Sequence, residues 1–274
     1  MINKVLYFYN RLGLKFFKNS FFPRNFFGLH PRQSKEFYLR IFENAKKQKF
    51  LTIDKFEKQY GYSVSKDWIN NLALKTQIVE KKSKINYQHG RILYTLLSDY
   101  INKHGKKENI TIFETGTARG FSSICMSKSI NDYNANAKII TLDFLPHNEK
   151  MYWNCIEDIK SKNTREDLLR DYHNELLNVI FLQCKTNRFL EKIGLNRINF
   201  AFLDGSHTKK DVIAEFNYVS TRQIKGDIIV FDDYTPNHFT EIVDAINFIK
   251  TSDKYSFKMI FSGEDRGYVI AFKN

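Results

Sequence analysis

The sequence has only three cysteines, Cys125, Cys155 and Cys184, and none stands in a C-x-x-C pair. An odd number without metal-type spacing argues against a disulfide framework and against a zinc site, and fits a reducing, cytoplasmic compartment. Acidic residues are missing from the start of the chain; the first is Glu36. No run approaches the roughly 20 apolar residues of a membrane span. The N-terminus lacks the long apolar core and small-residue cleavage site of a secretory signal. No internal repeat is present.

What is present is a chain of 274 residues, 42% hydrophobic and 15% aromatic, enough for one large α/β domain with an N-terminal appendage. Its net charge of +13 points to an anionic partner such as nucleic acid, a membrane surface or an acidic glycan. About half of that excess lies ahead of Glu36, in Lys4, Arg11, Lys15, Lys18, Arg24, Arg32 and Lys35. The body is therefore only mildly basic, and it lacks a recognised nucleic-acid reading motif, so nucleic acid is not the expected partner.

Three regions follow from the pattern: a basic aromatic segment over 1–35, a helical region over 36–105, and an α/β domain over 106–274. In the first, Val5, Phe8, Leu12 and Phe16 fall at helical spacing among the cations, until Pro23 and Pro31 break it. Two readings stand: a helix giving residues 1–30 peripheral membrane contact, or one that packs on the body or on a second subunit of a homo-oligomer. In the second, Ile41, Phe42, Ala45, Ile92, Leu93, Leu96, Leu97 and Tyr100 give apolar faces of helical period.

From residue 110 short apolar runs alternate with amphipathic stretches. Strands are predicted at 110–114, 138–143, 179–182, 198–203 and 227–231, and helices at 119–130, 165–177, 186–193, 208–220 and 238–250. This alternation implies parallel pairing through right-handed crossovers. The last two runs, 255–261 and 268–272, are joined by a loop too short for a helix and should form an antiparallel hairpin. The expected fold is an α/β, Rossmann-like, seven-stranded sheet with a C-terminal antiparallel hairpin and a helical N-terminal extension.

The turn Glu114-Thr115-Gly116-Thr117-Ala118-Arg119-Gly120 follows a strand and opens a helix. Glycines there allow a tight turn and close backbone approach to a ligand, with Asp143 ending the next strand where a carboxylate could take ribose hydroxyls. A helix cap is the plainer role for Asp143. Further on, Asp204-Gly205-Ser206-His207 and Asp232-Asp233-Tyr234 place carboxylates at the C-terminal ends of two strands. If those strands are neighbours, roughly 5 Å apart, the three acids converge and would repel unless a cation neutralises them. Oxygen ligands suit Mg²⁺ or Mn²⁺. Helix capping is the alternative role for these acids.

These segments resemble class I S-adenosylmethionine-dependent methyltransferases, and in particular metal-dependent sugar and small-molecule O-methyltransferases of the macrocin O-methyltransferase type. The resemblance covers about residues 85–274. It implies that Glu114, Gly116, Gly120 and Asp143 hold S-adenosylmethionine, that Ser122 contacts its carboxylate and that Thr186 lies near adenine. It implies a divalent cation on Asp204, Asp232 and Asp233, and methyl transfer to a hydroxyl of a sugar, glycan or other small molecule. Asp204 and His207 are the catalytic candidates, with His207 as base in place of the lysine of catechol-type relatives. Two other readings remain: a cephalosporin hydroxylase-like metal oxygenase, for which only His207 supplies a nearby imidazole, and a nucleic-acid-binding module with a degenerate site.

Overall fold

Phe200 and Phe202 face one side of their strand while Ala201 and Leu203 face the other, and each pair joins a different hydrophobic core. That period of two, with both faces apolar, marks a strand covered by helices on both sides. The computed structural model describes residues 26–106, 108–185, 189–263 and 266–274. In it the N-terminal region forms α1 (Lys35–Lys46), α2 (Leu51–Tyr60), α3 (Lys66–Thr76) and α4 (His89–His104). The α/β region then runs β1 (Ile110–Thr115), α5 (Phe121–Tyr133), β2 (Ala137–Asp143), α6 (Arg165–Leu169), α7 (His173–Leu176), β3 (Val179–Gln183) and β4 (Phe200–Leu203). It ends with α8 (Lys209–Ser220), β5 (Ile228–Phe231), α9 (Thr240–Lys250), β6 (Tyr255–Phe261) and β7 (Gly267–Lys273).

The strands form one seven-stranded sheet in the order β3-β2-β1-β4-β5-β7-β6. β1 to β5 are parallel, and β7 pairs antiparallel with both β5 and β6. This is the expected Rossmann-like sheet with its closing hairpin. On one face Val212 and Phe216 of α8 and Ile242 and Ile246 of α9 cover the sheet. On the other, Ile92 and Leu96 of α4 and Met126 and Ile130 of α5 do so. The strand order reverses at β1 and β4, and it is outside the carboxyl ends of such strands that open α/β sheets bind ligands.

Several predicted boundaries move. β4 begins at Phe200 rather than at 198, because the Ile198 amide bonds to the Arg222 carbonyl (3.0 Å) before the ladder starts. The helix expected over 165–177 is broken into α6, a 3₁₀ turn at Arg170–Tyr172 and α7. The helix expected over 186–193 is represented among the described residues by a 3₁₀ turn at Leu190–Lys192. Phe26 packs edge-on against Phe144, and Phe27 lies 6.2 Å from Trp153, so the end of the basic segment rests on the body. The helical spacing from Val5 to Phe16 lies outside the described residues. No helix among the described residues is long and apolar enough to cross a membrane.

Candidate active site

The turn after β1 is shaped by backbone that reverses sharply: Gly116 and Gly120 both have φ of +86°, and Ala118 has +46°. Glu114, at the end of β1, is fully buried. Burial pushes its carboxyl above the usual range, opposed by the hydroxyls of Ser122, Ser123 and Thr141. Ser122 and Ser123 donate to its two oxygens, which locks the first turn of α5 onto β1. Asp143, at the end of β2, accepts from the Ala118 amide at 2.5 Å and from the Leu145 amide at 2.8 Å. The expected cofactor residues Glu114, Gly116, Gly120, Ser122 and Asp143 are therefore brought together at one sheet edge. Thr186 lies outside the described residues.

The insertion after β2 closes over this turn. Arg165 is buried and donates to the Ala118 carbonyl at 2.9 Å. Burial pulls its pKa down to about 10, with Asp143 and Glu114 opposing. Arg119 donates to the Trp153 carbonyl at 2.6 Å, and its guanidinium lies over the Phe27 ring. Arg165 of the insertion thus bonds to the backbone of the turn after β1, and Arg119 of that turn bonds to the backbone of the insertion.

The second half of the site stands at the ends of β4 and β5. These strands are paired, Leu203 beside Phe231, and the Asp232 amide bonds to the Leu203 carbonyl at 3.2 Å. Asp204 and the Asp232–Asp233 pair are thus neighbours, as expected. Although part of Asp204 remains open to solvent, burial of its carboxyl, followed by the charges of Asp232 and Asp233, pushes it well above the usual carboxylate range. Asp232 is buried, which alone would raise its pKa. The Arg266 guanidinium overcomes that and holds it below the ordinary value. Asp233 has φ of +55° and is raised by burial and by Asp232.

Arg266 was not foreseen. It binds Asp232 through Nη2 and Asp233 through Nη1, the latter at 3.1 Å. The register explains its position. β7 pairs with β5, Val269 beside Phe231, and the Tyr234 amide bonds to the Gly267 carbonyl at 3.0 Å. A Cβ on Gly267 would meet the Tyr234 carbonyl oxygen at 2.2 Å. Only glycine permits that approach, and the approach carries the preceding arginine onto the acids. Its sequence signal was faint: one arginine in a hairpin loop, meaningful only once β7 is known to lie beside β5.

A divalent ion on Asp204, Asp232 and Asp233 does not fit this arrangement. The guanidinium already holds the two acids of β5, and a second cation there would meet like-charge repulsion. Among the described residues no group of three or more His, Cys, Asp or Glu side chains is arranged to hold a metal. Repulsion among the acids is relieved by an arginine in the chain itself, and the expected divalent cation on this triad is not supported.

His207 sits just beyond β4, half exposed, with Nδ1 3.8 Å from Asp233 Oδ2 and its ring 4.8 Å from that of Phe239. Two further groups were missed. His89, at the start of α4, is buried and stacked parallel to Phe202. Burial lowers its pKa to about 3, so the ring is neutral. Lys81 is open to the solvent of a neighbouring cavity. The protein packed round its ammonium, and then Arg266, lower its pKa to about 8.

The comparisons agree with this geometry. Residues 113–234 match a family described as a methyltransferase domain. No curated protein matches the chain. Among solved structures, the chain is similar to the O-methyltransferase TomG from Streptomyces achromogenes in complex with SAM, at 13% identity and a TM-score of 0.53, over 77% of this chain and 92% of that one. It is similar to the O-methyltransferase NovP at 14% identity and a TM-score of 0.52, over 82% and 96%. A cofactor-bound protein from MTB gives 15% identity and a TM-score of 0.51, over 71% and 83%. At these identities the structures establish the fold. Residues 113–234 are thus similar to a methyltransferase domain, and the sheet order is that of the Rossmann-like methyltransferase fold.

Proposed function

We propose that this chain transfers a methyl group from S-adenosylmethionine to a hydroxyl oxygen of a sugar, a glycan or another small molecule. One observation carries the reading: the Gly116 turn lies in contact with the Asp204 backbone, so the donor half and the acid–imidazole half of the proposed site share one sheet edge. The residues at the turn fit the cofactor. Positive-φ backbone keeps side chains away from the end of β1, and Asp143 offers carboxylate beside it. Glu114, Gly116, Gly120, Ser122 and Asp143 would hold the cofactor, which supplies an electrophilic methyl on a sulfonium.

In the transfer the S–CH₃ bond breaks, an O–CH₃ bond forms and the hydroxyl proton leaves. His207 accepts that proton. Asp233 lies on the Nδ1 side of the ring, which leaves Nε2 to face the acceptor. Arg266 fixes the two acids of β5 and keeps a positive charge beside the oxygen that loses its proton. Much of the remaining acceleration comes from holding the hydroxyl in line with the methyl group. No step needs a divalent ion.

The test is calorimetric titration with S-adenosylhomocysteine, followed by a methyl-transfer assay against sugars, phenols and RNA in excess chelator. Binding together with transfer to a hydroxyl compound is expected. A folded protein that binds no cofactor, or that methylates only nucleobase nitrogen, would overturn the proposal.

A further inference from the structure

Beside Arg266 a cavity of about 1220 Å³ opens between the α1–α2 connection, residues 81–86 and the end of β6. This exceeds the usual range of roughly 300–1,000 Å³ for small-ligand sites, so it can take more than one sugar ring. Its charged lining is one-sided. Among the described residues Lys49, Lys81, Lys82, Lys84 and Arg266 face it, against the single carboxylate of Asp233. Arg266 already engages Asp233 at 3.1 Å. Among the described residues none of the four lysines has a carboxylate at ion-pair distance.

The segment that carries Lys81, Lys82 and Lys84 is pinned at one end. Asn86 donates to the Ser262 carbonyl at 2.8 Å and to its hydroxyl at 2.9 Å, tying residues 81–86 to the end of β6. Like charges held round a concave, partly enclosed space focus a positive potential into it. A pocket for a neutral glycan has no use for such a field, whereas an anion relieves the repulsion among the lysines. Phe50, Phe239 and Phe261 add apolar surface on which a sugar ring can rest. The cavity is concave and partly enclosed, unlike the extended basic stripe that tracks a nucleic-acid backbone.

We propose that this cavity binds an anionic oligosaccharide, with Lys49, Lys82 and Lys84 pairing with its carboxylate or phosphate groups, and that this saccharide is the methyl acceptor. The second half of that statement rests on the methyl-transfer reading above. With the charged groups held by the lysines, a hydroxyl is left to approach Asp233 and Arg266 in the same lining, with His207 Nδ1 3.8 Å from Asp233 Oδ2.

The experiment is a binding titration of the full chain with trigalacturonate as the carboxylate source and glucose 6-phosphate as the phosphate source. Maltotriose is the neutral control and a short single-stranded RNA the competing polyanion. One or both charged sugars should bind at least tenfold more tightly than maltotriose, and the tighter one identifies the anion. Their binding should weaken as salt rises. The triple variant Lys49→Gln/Lys82→Gln/Lys84→Gln should bind them at least tenfold more weakly while its affinity for S-adenosylhomocysteine stays unchanged, which also reports that it is folded. Equal binding of maltotriose, tighter binding of RNA, or charged-sugar binding that is indifferent to salt or to the triple variant would overturn the proposal. Wild type that binds charged sugar but not S-adenosylhomocysteine would sink the methyl-transfer reading and, with it, the acceptor role. Wild type that binds only S-adenosylhomocysteine would sink the anionic acceptor alone.

Discussion

A Cβ atom on Gly116 would lie 2.0 Å from the backbone carbonyl oxygen of Asp204. The turn after β1 and the end of β4 are therefore in direct backbone contact, and Gly116 also has φ of +86°. Its need for glycine comes first from that contact. The reading that Gly116 leaves room for the cofactor understated how rigidly the two halves of the site are joined.

Gly116→Val should damage fold and cofactor binding together. The new side chain cannot avoid a backbone atom, so β1 and β4 must part at their carboxyl ends. A melting temperature lowered by several degrees, with no calorimetric signal for S-adenosylhomocysteine, is expected. Gly120→Ala should be milder, because its Cβ would meet a flexible side-chain atom, Leu169 Cδ1, at 2.7 Å. A fully stable Gly116→Val protein would show that the contact can relax.

Arg266→Ala should destabilise the protein and abolish turnover. Removing one partner of a buried pair strands the other charge, at a cost of roughly 3–5 kcal/mol. The lower end is expected, since 21% of the Arg266 side chain is exposed. Chelator should leave wild-type activity unchanged. Loss of wild-type activity in chelator, restored by Mg²⁺, would show that a metal displaces the guanidinium during turnover.

The sequence carried the sheet well because both kinds of covering reveal themselves locally. Phe200 to Leu203 alternate between two cores, and the short loop before Gly267 forbids a crossover. It carried the acids of β4 and β5 for the same reason: each ends an apolar run. Arg266 and Lys81 were hidden because their meaning depends on pairing between distant segments. Nothing local says that the Arg165 guanidinium bonds to the Ala118 carbonyl. Counting carboxylates without their counter-charge is what made a metal look necessary.

Glu215 should make stability depend on pH. It is buried beneath the Asp204 segment, accepting from Thr115 Oγ1 at 2.8 Å, and burial raises its pKa to about 8. A folded pKa above the unfolded value, near 4.3, gives stability that is fully present below the unfolded pKa. That stability is lost as pH rises through about 8. Glu215→Gln keeps the shape of the protonated acid and removes the titration. Its melting temperature should track wild type at pH 5 and exceed it increasingly up to pH 8.5. Parallel melting curves at every pH would mean that the carboxyl is not held protonated.

His207→Ala should lower kcat by roughly 10²–10⁴-fold, the usual contribution of a positioned base. Affinity for S-adenosylhomocysteine should not change, because the imidazole lies near Asp233 and Phe239, away from the Glu114 and Asp143 side of the edge. Asp233→Asn gives the companion result. It leaves the ring in place against Phe239 but removes the carboxylate 3.8 Å from Nδ1, so the imidazolium formed on proton transfer loses its stabilising charge. A smaller fall in kcat than for His207→Ala is expected, with little change in the acceptor KM. If His207→Ala turned over at nearly the wild-type rate, the imidazole would be only a neighbour of the site. The proton would then have to leave through solvent or through Asp233, and Asp233→Asn would become the more damaging of the two substitutions.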